Sequence, residues 1–429
     1  MIYTYFGGDV MDKFEIVGGN QLFGDVVVPC AKNSYLAILA GCVLCDGIVV
    51  LNNCPEFSDI NCMVEILTSI GAKVDKIDRT LVVDCTNINN PTIPKSLAKK
   101  VRSSIFLLGS VVGRLGKAVV TYPGGCEIGA RPIDLHLKGL RNLGIEVVEK
   151  HGMIRCETSG PIGNYIHLDF PSVGATENIM MAGVLAKGTT RIINCAKEPE
   201  IVDLQNFLNS MGAKISGAGS DIIEIEGVDR LHSTVWTPVS DRIIAGTYIL
   251  SVACCGGDVL VKNVQKEHIC SLLTKLSDAG LQMEYKDDSI RVTSNKRLST
   301  FGNIETLPYP GFPTDLQPQS LALQTTSNGT CVIVENLFET RLKHVSELLK
   351  MGANITTRDR VAIVTGVDKL FGAEVVASDL RAGASLILAG MMAEGKTTIQ
   401  NAHYVDRGYE KIEEVFSSLG ADIKRTKGV

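Results

Sequence analysis

The stretch "YPGGCEIGAR", residues 122–131, sets one thiol, Cys126, among three glycines and shortly before Arg131. Glycine lets a backbone take φ > 0 and approach a ligand closely, and a cation near a thiol favours the reactive thiolate. The stretch therefore reads as a reactive cysteine on a glycine-hinged loop or as a surface turn with an incidental Cys; both readings stand at this point. A second group of residues is basic. Lys32 (with Asn33), Arg102 and Arg381 (beside Asp379) open apolar helical segments, as do Ser172-Val173-Gly174, Asp241-Arg242 and Asp315. An acid at a helix start is accounted for by capping and by the macrodipole. A base there opposes the dipole, and it makes sense where several helix starts converge on an anion, because their free N–H groups also bind phosphate. Three further arginines, Arg131, Arg341 and Arg407, lie in the corresponding loops "GARPIDLH", "ETRLKHVSEL" and "VDRGYEKIEE". The pattern predicts a phosphate-binding cleft.

The bulk properties narrow the setting. The chain has 429 residues, 45% of them hydrophobic and 21% charged, with a formal net charge of −5. That balance gives no support for nucleic acid or an anionic membrane as partner. Thirteen cysteines, an odd number, suit a reduced, cytoplasmic protein whose thiols mostly act as small buried hydrophobes. The seven histidines show no metal-ligand spacing with cysteines or acids. The longest apolar runs, "YLAILAGCVLC" and "SLILAGMMA", are too short to span a bilayer. Residues 1–10 read as an N-terminal extension outside the fold.

The elements that must position these residues follow from an internal repeat. Variants of one phrase, "LTSIGAKV", "LRNLGIEV", "LNSMGAKI", "LSDAGLQM", "LLKMGANI" and "FSSLGADI", place glycines at 71, 144, 212, 280, 352 and 420, at intervals of 73, 68, 68, 72 and 68 residues. Each phrase predicts a helix ending on a C′ glycine and running directly into a strand. Each unit also carries a second helix with apolar residues on nearly every face, which predicts burial on all sides. Six α/β units of this length suit two domains of three units each. The chain opens on the first buried helix and closes on a strand, so the N-terminal strands around "FEIVGGNQLFGDVVV" are expected to complete unit six. The expected division is residues 11–31 plus 240–429 as one domain and 32–239, carrying the Cys126 loop, as the other. The chain then crosses between them near 31 and near 239.

The segments "AKNS", "VRSSIF", "PGGCEIGARPIDLH", "PSVGATENIMMA", "FPTDLQPQ", "SDLRAGASL" and "VDRGYEKIEE" together resemble the motifs of the UDP-N-acetylglucosamine 1-carboxyvinyltransferase family, in order and spacing, over essentially the whole chain from Met11. The resemblance implies the two-domain α/β enolpyruvyl transferase fold, each domain built of three βαβαββ units about a pseudo-threefold axis. It implies transfer of the enolpyruvyl group of phosphoenolpyruvate to the 3-hydroxyl of UDP-N-acetylglucosamine with release of phosphate, the first committed step of peptidoglycan precursor synthesis. No metal or other cofactor is implied.

The resemblance also assigns roles. Cys126 matches the loop thiol, proposed general acid and site of covalent addition to phosphoenolpyruvate, and Asp315 matches the base toward the sugar hydroxyl. Lys32, Arg131 and Arg407 match the phosphate-binding set, with Asn33, Arg341, Asp379 and Arg381 lining the same site. Arg102, the run Arg131, Pro132, Ile133, Asp134 and Leu135, the run Ser172, Val173 and Gly174, and Leu337 match contacts to the UDP-sugar, which Asp315 also borders. Phe106 stands where many members have Trp, and Phe170 and Pro171 where some have Lys and Val. The rivals are the 5-enolpyruvylshikimate-3-phosphate synthase type, which lacks the cysteine loop, and a non-catalytic α/β repeat scaffold, which gives no reason for basic helix starts.

Overall fold

In a computed structural model, residues 12–124, 128–129, 132–295 and 297–427 are described. The repeat is present in all six units. The outer helices Ser58–Ser69, Asp134–Asn142, Pro199–Ser210, Cys270–Asp278, Val345–Lys350 and Ile412–Ser418 each give way to one of the repeat glycines. All six glycines have positive φ, from +74° at Gly144 to +111° at Gly71. A side chain is strained in that conformation, so the sequence keeps glycine where the chain turns from helix into strand.

The strands form five four-stranded sheets and one three-stranded sheet. In the third unit Tyr165–His167 runs parallel to Thr189–Ile193, which pairs antiparallel with Ile222–Glu226, itself antiparallel to Lys214–Ser216. The parallel pair is joined through the buried helix Val173–Val184, the crossover that parallel strands require. In the second unit the leading strand is reduced to a single parallel bridge, Thr92 to Val119.

Two leading strands are exchanged. Leu22–Val27 leads into the first buried helix yet pairs with Gly257–Lys262 of the fourth unit. Thr234–Trp236 leads into the fourth buried helix yet pairs with Ile48–Leu51 of the first. Between strand and helix the two segments cross side by side. Cys30 and Ser240 form an antiparallel bridge, Ala31 N–H donates to Val239 O at 2.7 Å, and Asp241 N–H donates to Pro29 O at 2.8 Å. The N-terminal strand Lys13–Val17 inserts between Lys396–Gln400 and Asp422–Thr426, completing the sixth sheet. The expectation that both N-terminal strands complete unit six is thus corrected. Leu22–Val27 fills the edge that unit four lacks, because that unit's own leading strand lies in the first sheet.

The second helix of each unit is buried nearly all round. In Lys32–Cys42 only Asn33 stays outside the core, and in Leu380–Met392 only Met392 does. The other four are Leu107–Leu115, Val173–Val184, Arg242–Cys255 and Gln317–Gln324. Their backbones come close together: a Cβ on Gly109 would stand 2.2 Å from the carbonyl oxygen of Asn178. Small residues there permit a contact that no larger side chain allows.

Candidate active site

The N-terminal ends of the buried helices carry the expected polar residues. Asp241 and Asp379 cap their helices: Asp241 Oδ1 accepts from the amides of Ile243 and Ile244, and Asp379 Oδ1 from those of Arg381 and Ala382. The other oxygen of Asp241 accepts from the amide of Lys32 at 3.0 Å. One carboxylate therefore ties the first turn of the first buried helix to that of the fourth.

Two carboxylates organise four of the cations. Lys32 Nζ lies 2.7 Å from Asp59 Oδ2, and Arg407 Nε lies 2.9 Å from Asp59 Oδ1. Arg341 and Arg381 each place an Nη2 on Asp315, at 2.7 Å and 2.9 Å. Lys32, Asp59, Arg341 and Arg381 are all buried. Burial would raise the Asp59 carboxyl, but Lys32 and Arg407 outweigh it and hold it below its ordinary range. Burial also works against the Lys32 ammonium and lowers its pKa, with Arg407 and Arg381 adding to that and Asp59 opposing it. For Arg381 burial opposes the charge, but Asp315 and its neighbours keep the guanidinium protonated.

Supporting residues fix these side chains. The Arg381 guanidinium lies 5.9 Å from the ring centre of Tyr409, whose hydroxyl is held by Thr247 and Gln319. His344 donates from Nδ1 to the carbonyl of Arg341, and burial drives its pKa down to about 4. Glu335 accepts from the Leu337 and Phe338 amides and from the Thr306 and Thr314 hydroxyls, which shapes the loop between Leu337 and Arg341.

The second group of expected residues gathers on the 32–239 side. Arg102 opens the 3₁₀ turn Arg102–Phe106, which packs on the helix Lys32–Cys42. Ser172 caps Val173–Val184, accepting from the Ala175 amide, and Gly174 packs on His136 and Phe106. Ile133 is the residue before the helix Asp134–Asn142, with Pro132 preceding it and Leu135 in its first turn. Asn33 opens the first helix beside Lys32. Cys126 and Arg131 lie outside the described residues. Between them, Ile128 O accepts from the amide of Thr340 at 3.1 Å, one residue before Arg341. A Cβ on Gly129 would stand 2.3 Å from Glu339 Oε2, so the glycine permits this close approach.

Asp59, Glu335 and His344 went unread in the sequence. Asp59 sits in the first turn of an outer helix, where an acid is ordinary; only the fold brings it to Lys32 and Arg407. Asp59 and Asp315 stand between the cations, because buried cations need a paired counter-charge. The one Cys-x-x-Cys spacing, Cys42 to Cys45, holds two buried free thiols. Among the described residues no group of three His, Cys, Asp or Glu could hold a metal ion, and no helix is long and apolar enough to cross a membrane.

Residues 16–416 match the family model described as EPSP synthase (3-phosphoshikimate 1-carboxyvinyltransferase). Among solved structures, the enolpyruvyl transferase NikO from Streptomyces tendae superposes with a TM-score of 0.89 at 24% identity, covering 98% of this chain and 100% of that one. EPSP synthase from Acinetobacter baumannii superposes with a TM-score of 0.76 at 18% identity, covering 97% and 100%. These likenesses establish the enolpyruvyl transferase fold. Much closer in sequence is UDP-N-acetylglucosamine 1-carboxyvinyltransferase 2 of Caldanaerobacter subterraneus subsp. tengcongensis, 51% identical over 97% of this chain and 100% of that protein. UDP-N-acetylglucosamine 1-carboxyvinyltransferase 1 of Carboxydothermus hydrogenoformans is 49% identical over 97% and 99%. With about half its residues shared over nearly its whole length, the chain belongs to the UDP-N-acetylglucosamine 1-carboxyvinyltransferases of the enolpyruvyl transferase family.

Proposed function

We propose that the protein transfers the enolpyruvyl group of phosphoenolpyruvate to the 3-hydroxyl of UDP-N-acetylglucosamine, releasing inorganic phosphate and supplying peptidoglycan precursor synthesis. The observation that carries this reading is the pairing of Asp315 with Arg341 and Arg381 beside the Lys32–Asp59–Arg407 cluster. It sets a candidate base among cations suited to a phosphate and a carboxylate.

The reaction needs one proton delivered to C3 of phosphoenolpyruvate, which leaves C2 electrophilic, and one removed from the sugar hydroxyl as its oxygen bonds to C2. The resulting ketal loses a proton from C3 and expels phosphate, regenerating the enol double bond. In this reading Cys126 is the acid and Asp315 the base. Lys32, Arg131 and Arg407 hold the phosphate, while Arg341 and Arg381 take the carboxylate side. Positioned acid–base groups and preorganised cations account for the chemistry. Residues 32–239 and residues 11–31 plus 240–429 form the two domains of this reading, with the substrates between them. The twelve described cysteines are all free, which suits a reducing, cytoplasmic setting.

The test is phosphate release. Release that requires both phosphoenolpyruvate and UDP-N-acetylglucosamine supports the reading. Release with shikimate 3-phosphate in place of the nucleotide sugar would move the chain to the other branch of the family. No release from either pair would overturn the activity.

A further inference from the structure

Two parallel strands of the fifth unit, Asn303–Glu305 and Thr330–Val334, end side by side. The residue after each is polar and fully buried: Thr306 and Glu335 are both 0% exposed. A carboxyl group in that position is costly unless its oxygens are hydrogen-bonded. Four bonds satisfy Glu335. Its Oε1 accepts from the Thr306 hydroxyl at 2.9 Å and from the amides of Leu337 at 2.9 Å and Phe338 at 3.1 Å. Its Oε2 accepts from the Thr314 hydroxyl at 2.9 Å. The Thr306 oxygen in turn accepts from the Asn336 amide at 2.9 Å.

These partners fall on both sides of the Asp315–Arg341 pair. Thr314 is the residue before Asp315 and opens the 3₁₀ turn Thr314–Leu316. The N-cap of that turn is Pro313, with no side-chain cap bond, so Thr314 supplies its polar anchors: the hydroxyl to Glu335 and the carbonyl to Arg341 Nη2 at 3.3 Å. Leu337 and Phe338 begin the loop that leads to Arg341, whose Nη2 lies 2.7 Å from Asp315 Oδ1. One oxygen of Glu335 thus holds the loop of the arginine and the other holds the turn of the carboxylate.

We propose that Glu335 is a positioning residue for the transfer reaction. Through Thr314 it fixes Asp315 in the orientation from which that base takes the proton of the sugar hydroxyl. Through the Leu337 and Phe338 amides it sets Arg341 against the same carboxylate. Glu335 itself touches no substrate in this assignment, which rests on the transfer reading above and adds to it the support of the base. Such supports matter because a reacting group displaced by about 1 Å loses on the order of a hundred-fold in rate.

Steady-state phosphate release by the full-length protein tests this with Thr314→Val, Thr314→Ser and Glu335→Gln. Thr314→Val keeps the shape and removes the hydroxyl. It should lower kcat roughly ten-fold in a protein still folded at the assay temperature, with KM for UDP-N-acetylglucosamine changing less than about three-fold. Thr314→Ser restores the hydroxyl and should return kcat to within about two-fold of the wild type. Glu335→Gln keeps an oxygen for the two amides and the Thr306 hydroxyl, and its NH2 group can donate to Thr314 Oγ1. It should lose less than Thr314→Val and leave the acidic limb of kcat against pH in place. Wild-type kcat in Thr314→Val, or a Thr314→Ser as slow as Thr314→Val, would overturn the assignment. So would a folded Glu335→Gln whose acidic limb moves to lower pH, because Glu335 would then act on Asp315 through its charge. A wild type that releases no phosphate brings down the transfer reading as well, whereas an active wild type with any of those failures removes only the role of Glu335.

Discussion

Asp59 accepts from Lys32 and Arg407, and it decides how two of the proposed phosphate ligands stand before substrate arrives. Removing its charge leaves the buried Lys32 and the half-buried Arg407 facing each other. Asp59→Asn should lower stability at neutral pH by about 3 kcal/mol, the scale of breaking a buried pair. The Asp59 pKa is held below its unfolded value, so its contribution is fully present above about pH 4 and is lost as pH falls through the folded value. The gap between wild type and variant should therefore begin to narrow as pH falls below about 4 and keep narrowing on further acidification; a gap that stays constant with falling pH would show that the charge is not the cause. At Asp315 the expected loss is catalytic. Asp315→Ala should cut kcat by on the order of 10²–10⁴ with a much smaller change in nucleotide-sugar binding, and the opposite split would make Asp315 a binding residue. The thiols offer a third check. Cys270 is the one exposed cysteine among those described, and burial pushes others up, Cys30 and Cys156 to about 12. Fosfomycin, an epoxide phosphonate, should modify Cys126 and spare Cys270, which has no such cation cluster to hold the phosphonate. Peptide mapping with the adduct on Cys270 would count against the proposed acid, and Cys126→Asp should resist the inhibitor while retaining part of its turnover.

The repeated element is the outer helix, its C′ glycine and the strand that follows. Its six copies share a backbone conformation but not the same surroundings. A Cβ on Gly280 would meet nothing within 4 Å, whereas one on Gly71 would stand 2.6 Å from Asn87 O and 3.2 Å from Ile88 Cα. Gly280→Ala should therefore cost about 1 kcal/mol from its φ of +95° alone. Gly71→Ala should cost about 3 kcal/mol, because backbone must also shift. Urea denaturation of the two variants separates the terms; equal losses would mean that the Asn87 loop yields freely.

At the scale of the molecule, the two crossings at Cys30 and Ser240 lie against each other, and other contacts also join the proposed domains. Arg79 pairs with Glu410 through two bonds of 2.9 Å, Arg242 with Glu200 at 3.1 Å, and Arg407 with Asp59. An open pocket of about 440 Å³ beside the crossing strands is lined by Cys30, Arg79, Tyr248 and Glu410 among others. In the proposed two-domain reading the paired crossings would serve as the hinge for closure driven by a ligand that bridges both sides. The radius of gyration from small-angle scattering should fall on saturation with UDP-N-acetylglucosamine, and a constant value would argue against closure. Asp59→Asn should start from a larger radius and compact further, since Lys32 and Arg407 then repel.

The sequence by itself determined what local rules and repetition can carry. The six glycines, the helix-to-strand turns and the all-apolar second helices follow from backbone sterics and from the absence of a polar face. The convergence of basic helix starts could be inferred from the repeat, because equivalent positions in equivalent units fall at equivalent ends. Only the tertiary structure decided the pairings that join residues hundreds of positions apart. Asp59 reads as an ordinary first-turn acid until folding brings Arg407 to it. The exchange of Leu22–Val27 and Thr234–Trp236 between sheets leaves no local trace, since a strand's own pattern tells which face is buried and not which edge it joins. The Asn178 side chain likewise joins Gly109, Ile105 and His136, which meet it only when two buried helices pack at close range.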